Sequence, residues 1–195
     1  MMGLKPEAVS NDLTSTWPEP QDTPLESLCH TMAHKGYAVL NPSVAALWAG
    51  CQLSELHALL PFWDHMPLDA HLKDGGSYRR RRHSCFEFQH NNLTPTPHRA
   101  HWQSLDYNAL HGGMDRWFEP MSQDMVTLPV WTQLLTAFAQ ACSQWRNKPH
   151  AHWCIEAHPF RIDCSHGIGR PTPEGAHRDG VDFVAVFLLH RKNII

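Results

Sequence analysis

His177 and Asp179 stand two residues apart in the run PTPEGAHRDGVDF, residues 171–183. At the mouth of an expected strand, a spacing of two sends both side chains to one face and Arg178 to the other. An imidazole and a carboxylate side by side are two-thirds of a facial triad, the two-His-one-carboxylate set that leaves positions open on Fe(II). Gly180 lets the backbone turn directly behind the pair. Asp182, three residues past Asp179, points to the other face. Taken alone, the pattern is weak, because a chain with 16 histidines places a surface His near a turn Asp by frequency.

The elements that must position these residues come late in the chain. Trp153 to Ile162 reads as a strand. Val181 to Leu189 reads as a second one, apolar on both faces and therefore expected inside a sheet or barrel. On the first strand Glu156 and His158 alternate with Trp153, Ile155 and Ala157. If the latter face the core, Glu156 and His158 line a pocket or face water; convergence of polar strand residues in a barrel interior favours the pocket. Upstream, Leu25 to Leu40 reads as a short helix ended near Gly36 and then an extended piece. Ser43 is a candidate N-cap for a helix running to about Leu60, stopped by Pro61. Residues 67–100 read as irregular. Val130, Leu134, Phe138, Ala141 and Trp145 form one helical stripe. Trp48, Trp117, Trp131 and Trp145 read as core, and the histidines outside the motif and the 153–162 strand read as structural or exposed. Residues 1–24 are a polar, Pro-rich lead-in, and 25–195 form one domain. Helices first and strands last give an α+β class.

Several stretches together resemble one family. HPFRI (158–162), PTPEGAHRDGVDF (171–183), GGSYRRRRHSCF (75–86) and QSLDYNALHGGMDRWFEP (103–120) are similar to the bacterial 2-oxoglutarate/Fe(II) dioxygenases that hydroxylate free aliphatic L-amino acids, of the isoleucine 4-hydroxylase type. The resemblance spans most of residues 35–195. It implies a double-stranded β-helix, a jelly-roll, cupin-like barrel flanked by N-terminal helices. It implies His177 and Asp179 as catalytic iron ligands, and Fe(II), 2-oxoglutarate and O₂ as cofactors. It also implies that Arg79 or Arg82 holds an amino-acid or 2-oxoglutarate carboxylate, a task suited to a guanidinium fork. Arg161 is a second such candidate, weighed equally against a strand-end salt bridge. Glu156 and His158 are candidates to meet the substrate ammonium.

In the family the distal His ligand and a basic residue gripping 2-oxoglutarate lie on later strands, so the chain to Ile195 reads as truncated and the barrel as incomplete. His190 ends the strand that His177 precedes, up to roughly 40 Å away if extended; His158 or His166 could come closer. An unclosed barrel leaves strand edges unpaired, from which poor folding, aggregation or a homodimer is expected. The alternative to the enzyme is an inactive, truncated relative that binds a partner or is a non-functional fragment. A zinc hydrolase is a weaker third reading, without HExxH or comparable spacing.

Composition narrows the rest. The 195 residues are 42% apolar and 18% charged, which argues against disorder. A net charge of −3 excludes a generally basic nucleic-acid binder, and the arginine run at 79–82 is short, with only Tyr78 beside it. No long apolar run or signal-like start is seen, and the six cysteines form no CxxC pair. The expectation is a cytoplasmic protein with reduced thiols, acting on a small molecule, without nucleic-acid or membrane partners.

Overall fold

A computed structural model describes residues 21–107, 112–165, 167–170 and 179–192. Its first helix, α1 (Leu28–Lys35), ends where Gly36 turns left-handed at φ 76°. The next, α2 (Pro42–Ala49), starts two residues earlier than a Ser43 cap implies. Pro42 occupies the first turn, where its missing N–H costs nothing, and Asn41 is the cap, its side chain accepting from the Val44 amide at 3.0 Å. The helix expected to reach Leu60 is two helices. Gly50 adopts φ 71° and stops α2, and α3 (Leu53–His57) restarts under a capping box between Gln52 and Glu55. A short α4 (Gln123–Val126) precedes the long α5 (Pro129–Trp145). In α5 the stripe lies as its spacing requires: Val130, Leu134 and Ala141 are buried, and Phe138 and Trp145 are half-buried.

The stretch 67–100 is not irregular. It carries β1 (Arg79–Arg81), β2 (Ser84–Gln89) and β3 (Asn92–Pro95). His90 and Asn91 both have positive φ, 53° and 58°, which makes a two-residue turn of the kind that matches strand twist in hairpins. Strands therefore precede α5 rather than only following it. β4 (Trp153–Ala157) pairs antiparallel with β2, giving the order β3-β2-β4, and β5 (Phe160–Ile162) pairs antiparallel with β1. The single strand expected over 153–162 is thus broken at His158-Pro159. Proline has no N–H for a ladder, and its carbonyl instead accepts from the Arg82 amide at 3.2 Å. The partner strand is interrupted at the same level, between β1 and β2, and the register is the same on both sides of the break: Arg81 pairs with Phe160 and Ser84 with Ala157.

One face of the β2–β4 ladder closes the core. Phe86 and Ala157 are buried against Ala46 and Ala49 of α2 and Trp131, Leu134 and Leu135 of α5. Two expectations fail here. Trp117 is 59% exposed rather than core. The segment Val181 to Leu189 is not a strand: it has no ladder partner among the described residues, and Val186 and Leu188 are 87% and 73% exposed. Apolarity on both faces makes a buried strand only where neighbours cover both faces; here only Leu189 packs on the core, and Phe183 lies against Trp145 and Trp153. The architecture is mixed helix and antiparallel sheet, and no closed barrel is formed among the described residues. No helix of the described residues is long and apolar enough to cross a membrane.

The segment before β1 is tied to it by a buried ion pair. The Asp69 amide donates to the Arg79 carbonyl at 2.9 Å, and Arg79 Nε donates to Asp69 Oδ2 at 2.8 Å, with side-chain exposures of 4% and 0%. Removing one partner of such a pair takes a counter-ion from a buried charge. Asp69→Ala is expected to cost about 3–5 kcal/mol of unfolding free energy, read by urea denaturation; a loss below about 1 kcal/mol would mean water reaches Arg79 freely.

Candidate functional site

The pleat sorts the four arginines. Arg79 and Arg81 face inward at 4% and 5% exposure, while Arg80 and Arg82 face the other way. Arg161 is the Cα partner of Arg80, and Phe160 that of Arg81. Arg80, Arg82 and Arg161 consequently line one groove of about 530 Å³ together with Asp64, Glu119 and Asp163. There Arg82 pairs with Glu119 at 2.9 Å, Arg80 donates to the Met66 carbonyl at 2.8 Å, and Arg161 donates to the Trp63 and Asp64 carbonyls at 3.3 and 3.2 Å. Arg79 and Arg82, the two alternatives for a carboxylate grip, are three apart and stand on opposite faces; Arg79 Nε donates to Asp69.

The inner face brings together residues from distant segments. Cys85 of β2 is the Cα partner of Glu156 of β4, so both leave the sheet on the side away from the helices. Around Glu156 gather His83, His101 and His158, with one donor atom of each of the four within 4.8 Å of the others. Glu156 Oε2 lies 2.7 Å from His101 Nδ1, 3.5 Å from His158 Nε2 and 3.7 Å from His83 Nε2, and Oε1 accepts from Arg99 at 3.3 Å. Arg81 Nη2 donates to His158 Nδ1 at 2.8 Å. Arg99 Nε donates to Cys85 Sγ at 3.1 Å, and His83 Nε2 stands 3.4 Å from the same sulfur.

The electrostatics follow from this packing. Burial alone would push the Glu156 carboxyl up, but the hydrogen bonds from His101, His158 and His83 outweigh it and hold the group well below the usual carboxylate range. Burial pulls His158 down to about 3, helped by Arg81 against the pull of Glu156. Burial also lowers His101, its bond to Glu156 only partly offsetting that. His83 goes the other way: burial would lower it, but its bonds to Cys85 and Glu156 raise it. Cys85 is lowered, as His83 and Arg99 overcome the effect of burial.

Asp179 reaches the same hairpin. Gln103 Nε2 donates to Asp179 Oδ1 at 3.3 Å, and the fully buried Arg116 donates through Nη2 to Gln103 Oε1 at 2.7 Å. Arg116 and His101 exchange backbone hydrogen bonds at 2.9 and 3.0 Å, which fixes Gln103 two residues from the histidine cluster. Gly180 has φ 72°, and a Cβ there would stand 2.7 Å from the Tyr107 ring, so only glycine fits this turn. Asp182 turns away to pair with Arg146 at the end of α5. His177 lies outside the described residues, as does His166.

The family model for 2OG-Fe dioxygenases matches residues 60–195. The chain belongs to the 2OG-Fe dioxygenase family. That family uses Fe(II), 2-oxoglutarate and O₂, and its members are oxidoreductases. A solved structure of a bsmA homolog from Methylobium petroleophilum PM1 is 46% identical, with TM-score 0.75, over 83% of this chain and 65% of that one. The chain thus spans about two-thirds of that relative's length. IDO from Bacillus thuringiensis shares the fold at TM-score 0.53 and 14% identity, over 71% of this chain and 57% of that one. No curated protein matches.

Of the motif's two expected ligands, Asp179 lies among the described residues. Asp179 offers an anionic oxygen, and a neutral amide orients it, as outer-shell partners do for metal-bound carboxylates. The four-residue cluster around Glu156 is a second set of donors with the right types for a divalent ion. His83 and His101, read from sequence among the structural or exposed histidines, are its missed members. The available signal was local: His83 directly precedes the alternating run Ser84–Gln89, whose odd position Cys85 shares the face of Glu156.

The depressed histidines predict an acid-labile fold. His158 and His101 have folded pKa values below their unfolded value of ~6.5, so their contribution is complete above that pH and is lost as pH falls below it, for His158 down to about 3. His83, raised, contributes in the opposite sense. With two groups against one, the melting temperature is expected to fall between pH 7 and pH 5, and His158→Asn to flatten that slope. An unchanged slope in the variant would show that His158 is not held neutral.

Proposed function

We propose that the protein is an Fe(II)/2-oxoglutarate-dependent dioxygenase that hydroxylates or sulfoxidises a free aliphatic L-amino acid, with release of succinate and CO₂. The observation that carries the reading is the Asp179 carboxylate, next to His177 in the motif and oriented through Gln103 by the buried Arg116. The fold in which we place it is the double-stranded β-helix, to which the ladders β3-β2-β4 and β1-β5 contribute. All the cysteines are free thiols, which supports a cytoplasmic setting.

His177 and Asp179 would hold the iron. Bound there with 2-oxoglutarate, the iron supplies the activation of O₂ for oxidation of the substrate. The chain's own residues do the rest. Arg116 locks the Gln103 amide so that its nitrogen faces Asp179, which keeps one carboxylate orientation. Gly180 turns the backbone out of the way, under Tyr107. The inner face of β1, β2 and β4 presents cations and neutral imidazoles, a wall suited to a small acidic ligand.

Succinate formed from 2-oxoglutarate in the presence of Fe(II) is the assay. It is expected to rise when isoleucine, leucine or methionine is added, and His177→Ala is expected to drop to background. Stimulation by none of the three would remove the substrate assignment; undiminished turnover in His177→Ala would remove the iron assignment. Gln103→Leu is expected to weaken Fe(II) binding or turnover ~10–100-fold by releasing Asp179, checked by metal titration.

A further inference from the structure

Arg81 is a buried cation that no described carboxylate meets. It is 5% exposed. Its guanidinium lies 4.2 Å from the Phe118 ring centroid and 4.6 Å from that of Phe160. The one side-chain hydrogen bond it makes among the described residues goes from Nη2 to His158, a neutral acceptor, and its buried Nε has no partner. The nearby carboxylates are committed: Asp69 to Arg79 at 2.8 Å, and Glu156 to His101 at 2.7 Å and Arg99 at 3.3 Å. Burial, with Arg116 and Arg79 close by, pulls Arg81 down to about 9, which still leaves it charged at neutral pH.

A buried charge without a counter-ion is costly. Asp69 and Glu156 act on it only from a distance, each being bonded to other groups. Two rings lie 4.2 and 4.6 Å from the guanidinium carbon, and the unpartnered Nε lies on the edge of the fork, where an anion can be received. A planar carboxylate, accepting from two parallel N–H groups, suits that approach. Phe160 is 40% exposed and the Glu156 side chain 32%, so the inner face is open to solvent beside them.

We propose that Arg81, clamped between Phe118 and Phe160 and steered by His158, is the grip of a carboxylate-binding subsite on the inner face of β1. The inference rests on the dioxygenase reading for the identity of the ligand, which is either the α-carboxylate of the amino acid or a carboxylate of 2-oxoglutarate. It replaces Arg79 and Arg82 in that role, since both are engaged by protein carboxylates.

Calorimetric titration of the full chain, kept anaerobic with Fe(II), tests this without turnover. The titrants are L-isoleucine, isoleucine amide, 2-oxoglutarate and its monoamide, applied to the native protein, Arg81→Lys and Arg81→Met. One acid is expected to bind ~10–100-fold more weakly to Arg81→Met, with Arg81→Lys in between, while the other is unchanged; which one weakens identifies the source. On the native protein the corresponding amide should lose a similar factor, a comparison that holds even if a variant fails to fold. Equal binding of acid and amide for both ligands, or no binding of either acid, overturns the proposal. Carboxylate binding that depends on Arg81 without any succinate formation removes the dioxygenase reading and leaves the subsite standing. Turnover with the same KM in Arg81→Met does the reverse.

Discussion

The arrangement on the inner face depends on the cost of burying positive charge. Arg79, Arg81 and Arg116 are all under 6% exposed, on one small ladder and the hairpin beside it. Each is handled differently. Arg79 is neutralised outright by Asp69. Arg116 donates to the Gln103 carbonyl oxygen, so its charge is turned into an orienting force on the Gln103 amide and through it on Asp179. Arg81 receives two aromatic faces and one imidazole nitrogen, which stabilise a cation in part but do not cancel it. The residual positive potential is the property that sets this face apart from the rest of the sheet.

Backbone detail makes this arrangement available. Pro159 interrupts the pairing between β4 and β5, but the register carries through it: Arg81 is the partner of Phe160 and Cys85 that of Glu156. Alternation therefore puts Arg81, His83 and Cys85 on one face with Glu156, His158 and Phe160. There His158 and Arg81, 77 positions apart in sequence, stand with their side chains 2.8 Å apart. The core on the other face, built by Phe86 and Ala157 against α2 and α5, backs this surface.

Legibility in the sequence followed the range of the interaction. The α5 stripe, the stop at Gly36 and the division of Glu156 and His158 from Ile155 and Ala157 are local periodicities, and the structure has them. The motif at 177–179 was legible as a run of residue types, not as geometry. The strands of 79–95 were obscured because β1 is made of arginines, whose burial depends on Asp69 and on aromatic partners rather than on their own apolarity. The 181–189 segment misled for the converse reason: strong strand composition specifies nothing without an adjacent edge. His101 carries no local mark and His83 only its place before the alternating run of β2, because what gathers them is a carboxylate contributed by a distant strand.

The gathering around Glu156 is itself constrained by proton inventory. A guanidinium can only donate, so His158 Nδ1 must accept from Arg81 and its proton sits on Nε2, toward Glu156. A divalent ion at Nε2 would have to displace that proton and the contact with Glu156. One at Nδ1 would have to displace Arg81 and lie against its positive charge. His101 Nδ1, at 2.7 Å, is likewise occupied as a donor to the carboxylate. Without changing any of these partners, the four residues form an anion held by imidazoles, which keeps His158 neutral and fixed as the acceptor that aims Arg81. Asp179 is not one of these four: the Gln103 amide donates to its Oδ1, and Arg116 behind that amide ties it to the backbone segment that carries His101.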